Sequence, residues 1–176
     1  MEGTYFLDSL DAGDAELIPF IPIILQDLWT LGSMPAYVIE LVEKHVPITT
    51  VKNVVDLGCG KGAVLIQLSQ ALGLSGLGID LLPAFVEAAQ QKAVRWGVSD
   101  RVTFEVGDIR AAIVHHRDID LLIYGDDSDV LGDEQETLAA LQNCIASNGW
   151  VILETTYHTP VGAKRSARSS RIRTTG

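Results

Sequence analysis

The sequence lacks the features that mark membrane, secreted and metal-bound proteins. Its longest apolar run, LIPFIPIIL, is interrupted by two prolines and is far shorter than the ~20 residues that a bilayer-spanning helix needs. The N-terminus is acidic, whereas a secretory leader begins with basic residues, so we expect neither a leader nor a membrane anchor. Only two cysteines are present, Cys59 and Cys144, and they have no metal-ligand spacing. We expect two reduced thiols in a cytoplasmic protein, and no metal site.

Basic residues are scarce in most of the chain. Of the 13 Lys and Arg residues, five lie in residues 161–176, so residues 1–160 carry the other 8 against all 23 acidic residues. So acidic a body repels nucleic-acid phosphates, and we expect no nucleic-acid partner. The Arg- and Ser-rich residues 158–176 are predicted to be a basic, flexible tail.

Strand and helix patterns alternate over residues 51–157. The buried strands are predicted in KNVVDLG, GLGID, RVTFEVGD, DIDLLIYGDD and GWVILE. Helical periodicity separates them, in GAVLIQLSQAL, PAFVEAAQQKAVRW and DEQETLAALQNCIA, with a shorter piece in IRAAIVHH. Gly73 is predicted to end the first of these helices and Pro83 to begin the second. Asp133 and Glu136 predict a capping box at the start of the third, whose buried stripe includes Ile145. This order predicts an α/β fold with a doubly wound, mainly parallel sheet and helices on both faces. Residues 1–50 are predicted to be an N-terminal extension that packs on this core, with a helix over residues 36–45.

Three glycines, Gly58, Gly60 and Gly62, lie between the first predicted strand and its helix. In open α/β sheets this turn borders the crevice where ligands bind. The spacing of Gly58, Gly60 and Ala63 also satisfies the dinucleotide pattern G-x-G-x-x-G/A, and Asp80 ends the next strand where a ribose-binding acid belongs. The glycines alone therefore leave NAD and other adenosyl ligands open.

Acidic residues at the strand ends narrow the choice of ligand. Asp56 would repel a pyrophosphate, whereas it would attract the cationic amino-acid portion of a ligand. Asp108, after the third strand, is suited to accept a hydrogen bond from the amine of adenine, and Ile109 could pack on the ring. With Asp80, these carboxylates favour a positively charged adenosyl ligand. Trp29, Met34 and Tyr37 of the N-terminal segment are candidates for the mouth of the crevice, although packing over the sheet ends would explain them equally well.

The segments VVDLGCGKG, GLGID, VTFEVGDIR, DIDLLIYGDD and GWVILE resemble the successive signature segments of class I S-adenosylmethionine-dependent methyltransferases. The resemblance covers about residues 50–154 and implies a Rossmann-like fold with S-adenosylmethionine as cofactor. It implies that the glycine loop holds the methionine portion, Asp80 the ribose, and Asp108 with Ile109 the adenine. The implied cofactor-binding residues are Asp56, Gly58, Cys59, Gly60, Gly62, Asp80, Leu81, Gly107, Asp108, Ile109 and Gly125. Asp126 and Asp127 would face the substrate.

The chain departs from the family pattern after residue 155. The family's sheet continues with a helix and an antiparallel hairpin, and no apolar pattern for them follows GWVILE. We therefore expect a sheet without the usual last two strands and an exposed fifth-strand edge, through which a homo-oligomer could form.

The expected acceptor is a small molecule. The Asn/Asp-Pro-Pro-aromatic motif typical of nucleic-acid amino-group methylation is absent after Tyr124, where GDD stands. The resemblance thus implies methylation of an oxygen or a nitrogen of a small molecule, driven by alignment of the acceptor with the methyl group. No catalytic residue is assigned. The alternatives are a non-catalytic binder of S-adenosylmethionine and, third, an NAD-dependent oxidoreductase.

Overall fold

A computed structural model describes residues 15–126 and 130–155, except the side chains of residues 15–17, 126 and 155. Its strands are β1 (Val54–Leu57), β2 (Gly76–Asp80), β3 (Val102–Val106), β4 (Ile119–Asp126) and β5 (Ile145–Thr155). They form one five-stranded sheet in the order β3-β2-β1-β4-β5, and every neighbouring pair is parallel. The predicted α/β fold is confirmed. The predicted tail, residues 158–176, and Asp127 lie outside the described residues.

Six α-helices accompany the sheet in the described ranges. They are α1 (Ile21–Ile24), α2 (Pro35–His45), α3 (Ala63–Leu72), α4 (Pro83–Arg95), α5 (Ile109–His115) and α6 (Glu134–Gln142), with 3-10 turns at Ala15–Phe20 and Ile48–Thr50. Pro83 begins α4, where the missing N–H costs nothing. Gly73 ends α3 in the left-handed conformation, with φ of 71°. The capping box at α6 is present: Asp133 accepts from the backbone of Glu136, whose carboxylate accepts from the backbone of Asp133.

The helices bury both faces of the sheet. On one face, Val54, Ile123 and Ile152 pack with the α2 residues Val38 and Val42 and with residues of α3 and α4. The opposite face packs against residues of α5 and α6. Because side chains alternate between the two faces of a strand, successive strand residues join different clusters. The N-terminal helix α2 is thus part of the core on the glycine-loop side.

The last predicted helix is shorter than the sequence pattern indicated. It ends at Gln142 rather than at residue 146, and Ile145, predicted to lie on its buried stripe, begins β5 opposite Ile119. The backbone N–H of Ile119 donates to the carbonyl of Cys144 at 3.0 Å, and Cys144 is fully buried. Strand pairing and this burial outweigh the local helical preference.

Within the part of the chain that the structure describes, β5 is an outer strand of the sheet, as predicted. Its Ile152 is buried in the core, and Trp150 is partly buried against the same cluster. Among residues 15–126 and 130–155, no helix is both long enough and apolar enough to cross a bilayer.

Candidate functional site

The turn after β1 has a backbone that requires glycine. Gly58, Gly60 and Gly62 have φ angles of +71°, +52° and +71°, and a side chain in this left-handed region costs about 1–2 kcal/mol. The N–H groups of Gly58 and Cys59 donate to the carbonyl of Ile79 at 2.8 and 3.0 Å. These bonds fasten the turn across the carboxyl end of β2.

The surroundings of the glycines differ. A Cβ added to Gly62 would lie 2.8 Å from the Phe104 ring and 3.0 Å from Ala89, so this glycine permits close packing inside the core. A Cβ added to Gly58 would have no atom within 4 Å. Gly58 therefore borders open space that a ligand could fill, whereas Gly62 contacts the protein itself.

An open pocket lies against the glycine loop and encloses about 360 Å³, its solvent-exposed mouth included. Its lining residues are Trp29, Leu31, Ser33, Asp56, Gly58, Cys59, Gly60, Lys61, Ala63, Val64 and Gly125. It brings together five of the residues predicted for the cofactor: Asp56, Gly58, Cys59, Gly60 and Gly125. The other six predicted positions do not line it.

Asp56 is the electrostatic centre of the pocket. It is 4% exposed, and its Oδ2 has no hydrogen-bond partner among the described residues. Burial, followed by the charges of Asp80 and Glu154, raises the pKa of Asp56 from 3.8 to about 8, against a lowering by the backbone N–H of Leu65. A buried acceptor without a partner is costly. A cation or a hydrogen-bond donor in the pocket would remove that cost.

Asp80 ties the glycine loop to β2. Its carboxylate accepts from the backbone N–H of Gly60 at 2.8 Å and from that of Leu82 at 2.9 Å. Burial raises its pKa, while these two backbone N–H groups lower it. Asp80 does not cap α4, because the N-cap residue is Leu82. Each carboxylate oxygen keeps a second lone pair, so the predicted ribose role stays open.

Asp108 is held by its own chain. It caps α5 by accepting from the backbone N–H of Arg110 at 2.9 Å, and it forms an ion pair with the Arg110 guanidinium. The Arg110 side-chain hydrogen bond is the main reason that the pKa of Asp108 is lowered. Nearby, Leu81 is 43% exposed at the end of β2, and Gly107 and Ile109 are half-buried.

The N-terminal segment forms one wall of the pocket. Trp29 lines it. Its indole N–H donates to the Lys61 carbonyl at 3.0 Å. The ring centroids of Trp29 and Trp96 are 4.9 Å apart, and the Lys92 Nζ lies 4.6 Å from the Trp29 ring centroid. Leu31 and Ser33 also belong to this wall, and no local pattern in the sequence indicates them.

Lys61 fixes this wall to the glycine loop. It is 6% exposed, and its Nζ donates to the carbonyls of Leu25, Gln26 and Leu28 at 2.5, 3.2 and 2.7 Å. These carbonyls follow the short helix α1, and the Leu25 carbonyl also accepts from the backbone N–H of Leu28. The ammonium thus holds together the turn that follows α1. A lysine inside a glycine loop was visible in the sequence, but its partners more than thirty residues away were not.

Known proteins that are similar to this chain are methyltransferases. A family model described as a methyltransferase domain matches residues 48–171. The chain belongs to this methyltransferase family. It is 30% identical over 107 residues to a probable chloroplastic tocopherol O-methyltransferase of Oryza sativa subsp. japonica, covering 61% of this chain and 30% of that protein. It is 23% identical over 137 residues to an ajmaline N-methyltransferase of Rauvolfia serpentina, covering 73% and 47%.

A solved methyltransferase has the same fold. The S-adenosylmethionine-dependent methyltransferase of Thiobacillus denitrificans, in complex with S-adenosyl-L-homocysteine, aligns with a TM-score of 0.64 and 23% identity. The alignment covers 76% of this chain and 54% of that one. The chain thus spans only about a third to a half of the lengths of these relatives.

Proposed function

We propose that this domain transfers a methyl group from S-adenosylmethionine to a small-molecule acceptor. The observation that carries the proposal is the Asp56 oxygen without a partner, buried at the side of a pocket that the glycine loop borders. The cofactor has two cationic groups, the ammonium of its methionine portion and its sulfonium. A buried carboxyl group that lacks a partner can give up its proton and pair with such a cation, whereas beside a pyrophosphate its ionised form would be repelled.

The residues of the pocket would hold the methionine portion. Asp56 would bind its ammonium, and the open space beside Gly58 would admit its chain. Asp80 would offer its remaining lone pairs to the ribose hydroxyls. Asp108 with the apolar Leu81 and Ile109 would hold the adenine, although Asp108 is engaged by Arg110 before the ligand arrives. Cys59, Gly60, Gly62 and Gly107 would shape the backbone around these groups.

The bound cofactor supplies an electrophilic methyl group on its sulfonium. The protein then has to position the acceptor and exclude water, because alignment accounts for much of such catalysis. Gly125 would border the transferred methyl group, and Asp126 and Asp127 would approach the acceptor. The wall of Trp29, Leu31 and Ser33 would limit the access of water to the pocket.

The proposed acceptor is small. Support comes from the acidic composition of residues 1–160, which disfavours nucleic acid, and from two relatives named for tocopherol and ajmaline methylation. One of these relatives is named an O-methyltransferase and the other an N-methyltransferase, so they leave the methylated atom open.

Calorimetry with S-adenosylmethionine, S-adenosylhomocysteine and NAD in parallel tests the cofactor. We expect both sulfur compounds to bind and NAD to show no binding. Tighter binding of NAD would overturn the proposal in favour of an oxidoreductase. A screen of methyl-donor turnover over amines, phenols and carboxylates then separates an enzyme from a binder: cofactor binding with no turnover of any acceptor would favour the non-catalytic alternative.

A further inference from the structure

A further carboxylate, Glu154, is half-buried near the pocket and has no assigned role. It is in β5, close to the strand's carboxyl end. Its Oε2 is buried and has no hydrogen-bond partner among residues 15–126 and 130–155. A glutamate that withdraws an ionisable oxygen from water without pairing it carries a free-energy cost. A bound ligand is one way to recover that cost.

The register of the sheet places Glu154 on the same face as Asp56. Asp56 pairs with Ile123, and Ile123 pairs with Ile152. Gly125 pairs with Glu154 in the row two residues further along. Because side chains two residues apart share a face, both carboxylates rise from the face that α2 and α3 cover. Two strand spacings of about 4.8 Å set them on the order of 10 Å apart across the sheet.

The sheet position between them is Gly125, which lines the pocket. A Cβ there would lie 2.9 Å from the hydroxyl oxygen of Ser33, so the serine of the N-terminal wall packs directly over this glycine. The polar groups nearest to the Gly125 row are therefore Ser33 and Glu154. The charge of Glu154 is close enough to Asp56 to contribute to its raised pKa.

We infer that Glu154 is a specificity residue that faces the methyl-transfer position, and that the acceptor is an amine. This inference rests on the proposed function. In the proposed function, the ammonium of the cofactor's methionine portion pairs with Asp56. Glu154 is then available to pair with a second positive charge. The row of Gly125 and Glu154 lies nearer to the carboxyl edge of the sheet than Asp56 does, and this edge is where ligands of such sheets bind.

The charge that develops during methyl transfer explains why a carboxylate suits an amine acceptor. A bound amine, which is protonated at neutral pH, first releases a proton to water, and the neutral nitrogen then uses its lone pair to form the new bond to the methyl carbon. The electron pair of the breaking carbon–sulfur bond stays on sulfur, which becomes a neutral thioether, and the positive charge appears on nitrogen. A carboxylate beside the nitrogen stabilises that charge. An oxygen acceptor would instead have to lose its proton, and the resulting anion would be repelled by Glu154.

The binding test compares S-adenosylhomocysteine with sinefungin, in which a carbon bearing a primary amine replaces the sulfur and its methyl group. Calorimetry is run on the full chain as wild type, Glu154→Gln and Glu105→Gln. Glu105 is an exposed glutamate on β3 and provides the same change of charge away from the pocket. We expect Glu154→Gln to weaken sinefungin about tenfold or more, the effect of one charged hydrogen bond. The affinity for S-adenosylhomocysteine should change by less than about twofold, because its sulfur is neutral.

The possible results separate the inference from the proposed function. If both ligands bind and respond equally to Glu154→Gln, Glu154 does not face the transfer position and the inference is wrong, while the proposed function stands. If neither ligand binds the wild type, the proposed function fails and the inference with it. Glu154→Asp, which keeps the charge, serves as a second variant and should retain part of the preference for sinefungin.

The acceptor class has its own measurement. Thermal unfolding of the protein saturated with S-adenosylhomocysteine is followed with millimolar benzylamine or benzyl alcohol. Benzylamine carries a positive charge at neutral pH, so it should raise the Tm more than the alcohol does, and Glu154→Gln should abolish the difference. Equal shifts from the two compounds, or no shift from benzylamine, would overturn the assignment of an amine acceptor.

Discussion

The stability of the ligand-free protein should depend on pH through Asp56. The folded state holds its proton with a pKa of about 8, whereas the unfolded chain releases it near 3.8. Between these values the folded state binds more protons than the unfolded state, so the free energy of unfolding falls as the pH rises. Below pH 3.8 and above pH 8 this contribution is constant. Asp56→Asn has no such proton and should lose this dependence.

The magnitude follows from the width of the window. Each pKa unit corresponds to about 1.4 kcal/mol, so the interval from pH 5 to pH 8 sets a limit of about 4 kcal/mol. Water entry and local relaxation around the ionised group lower that figure. We therefore expect the stability of the wild type to fall by about 2–4 kcal/mol relative to Asp56→Asn over this interval. Asp80 also has a raised pKa, but it is present in both proteins and largely cancels in the difference.

Urea unfolding at pH 5, 6.5 and 8 measures this difference, with the free energy of unfolding taken by linear extrapolation. Asp100→Asn is the matched control, since the Asp100 side chain is 80% exposed and should leave the pH dependence unchanged. Parallel curves for the wild type and Asp56→Asn would refute the reasoning, because they would mean that Asp56 ionises in the folded state as it does in water.

Three further predictions concern other parts of the domain. Asp80→Ala should weaken S-adenosylhomocysteine binding by about 1.5–3 kcal/mol in calorimetry. It should also destabilise the free protein, since two backbone N–H groups lose their acceptor. Unchanged affinity in a folded variant would mean that Asp80 has only a structural role. Gly62→Ala should lower the free energy of unfolding in urea by about 2–4 kcal/mol, from backbone strain plus the clash with the Phe104 ring. Gly58→Ala should lower it only by the strain of about 1–2 kcal/mol. Equal decreases for the two variants would contradict the packing role of Gly62. The outer edge of β5 should support self-association, which light scattering measures. Deleting residues 162–176 should leave the fold and cofactor binding largely intact. A monomeric protein that unfolds when these residues are removed would contradict both expectations.

Local patterns predicted most of the fold. The positions of Gly73, Pro83 and the Asp133–Glu136 capping box depend on backbone geometry within a few residues, so sequence alone indicated them. Ile145 shows the limit, because its helical spacing competed with pairing to Ile119 in a distant strand. The glycine spacing also does not indicate which glycine borders the ligand crevice: Gly58 faces open space, while Gly62 contacts Phe104.

The site was predictable only where its residues lie in the motifs. Asp56 and Gly125 follow from the strand ends that carry them. The three carbonyls that bind Lys61 and the pairing that sets Glu154 beside Gly125 depend on contacts between distant segments. Likewise, the engagement of Asp108 by Arg110 depends on side-chain conformation, which the sequence pattern did not indicate.

The central claim is that Asp56 receives the ammonium of an adenosyl cofactor, and proton release on binding tests it most directly. S-adenosylhomocysteine is titrated calorimetrically at pH 6.5 in buffers of different ionisation enthalpy. At this pH the free protein holds the Asp56 proton, since its pKa is about 8, and pairing with an ammonium favours the ionised form. The account predicts binding with release of close to one proton in the wild type and almost none in Asp56→Asn. Binding without proton release in the wild type, or no binding at all, would contradict it.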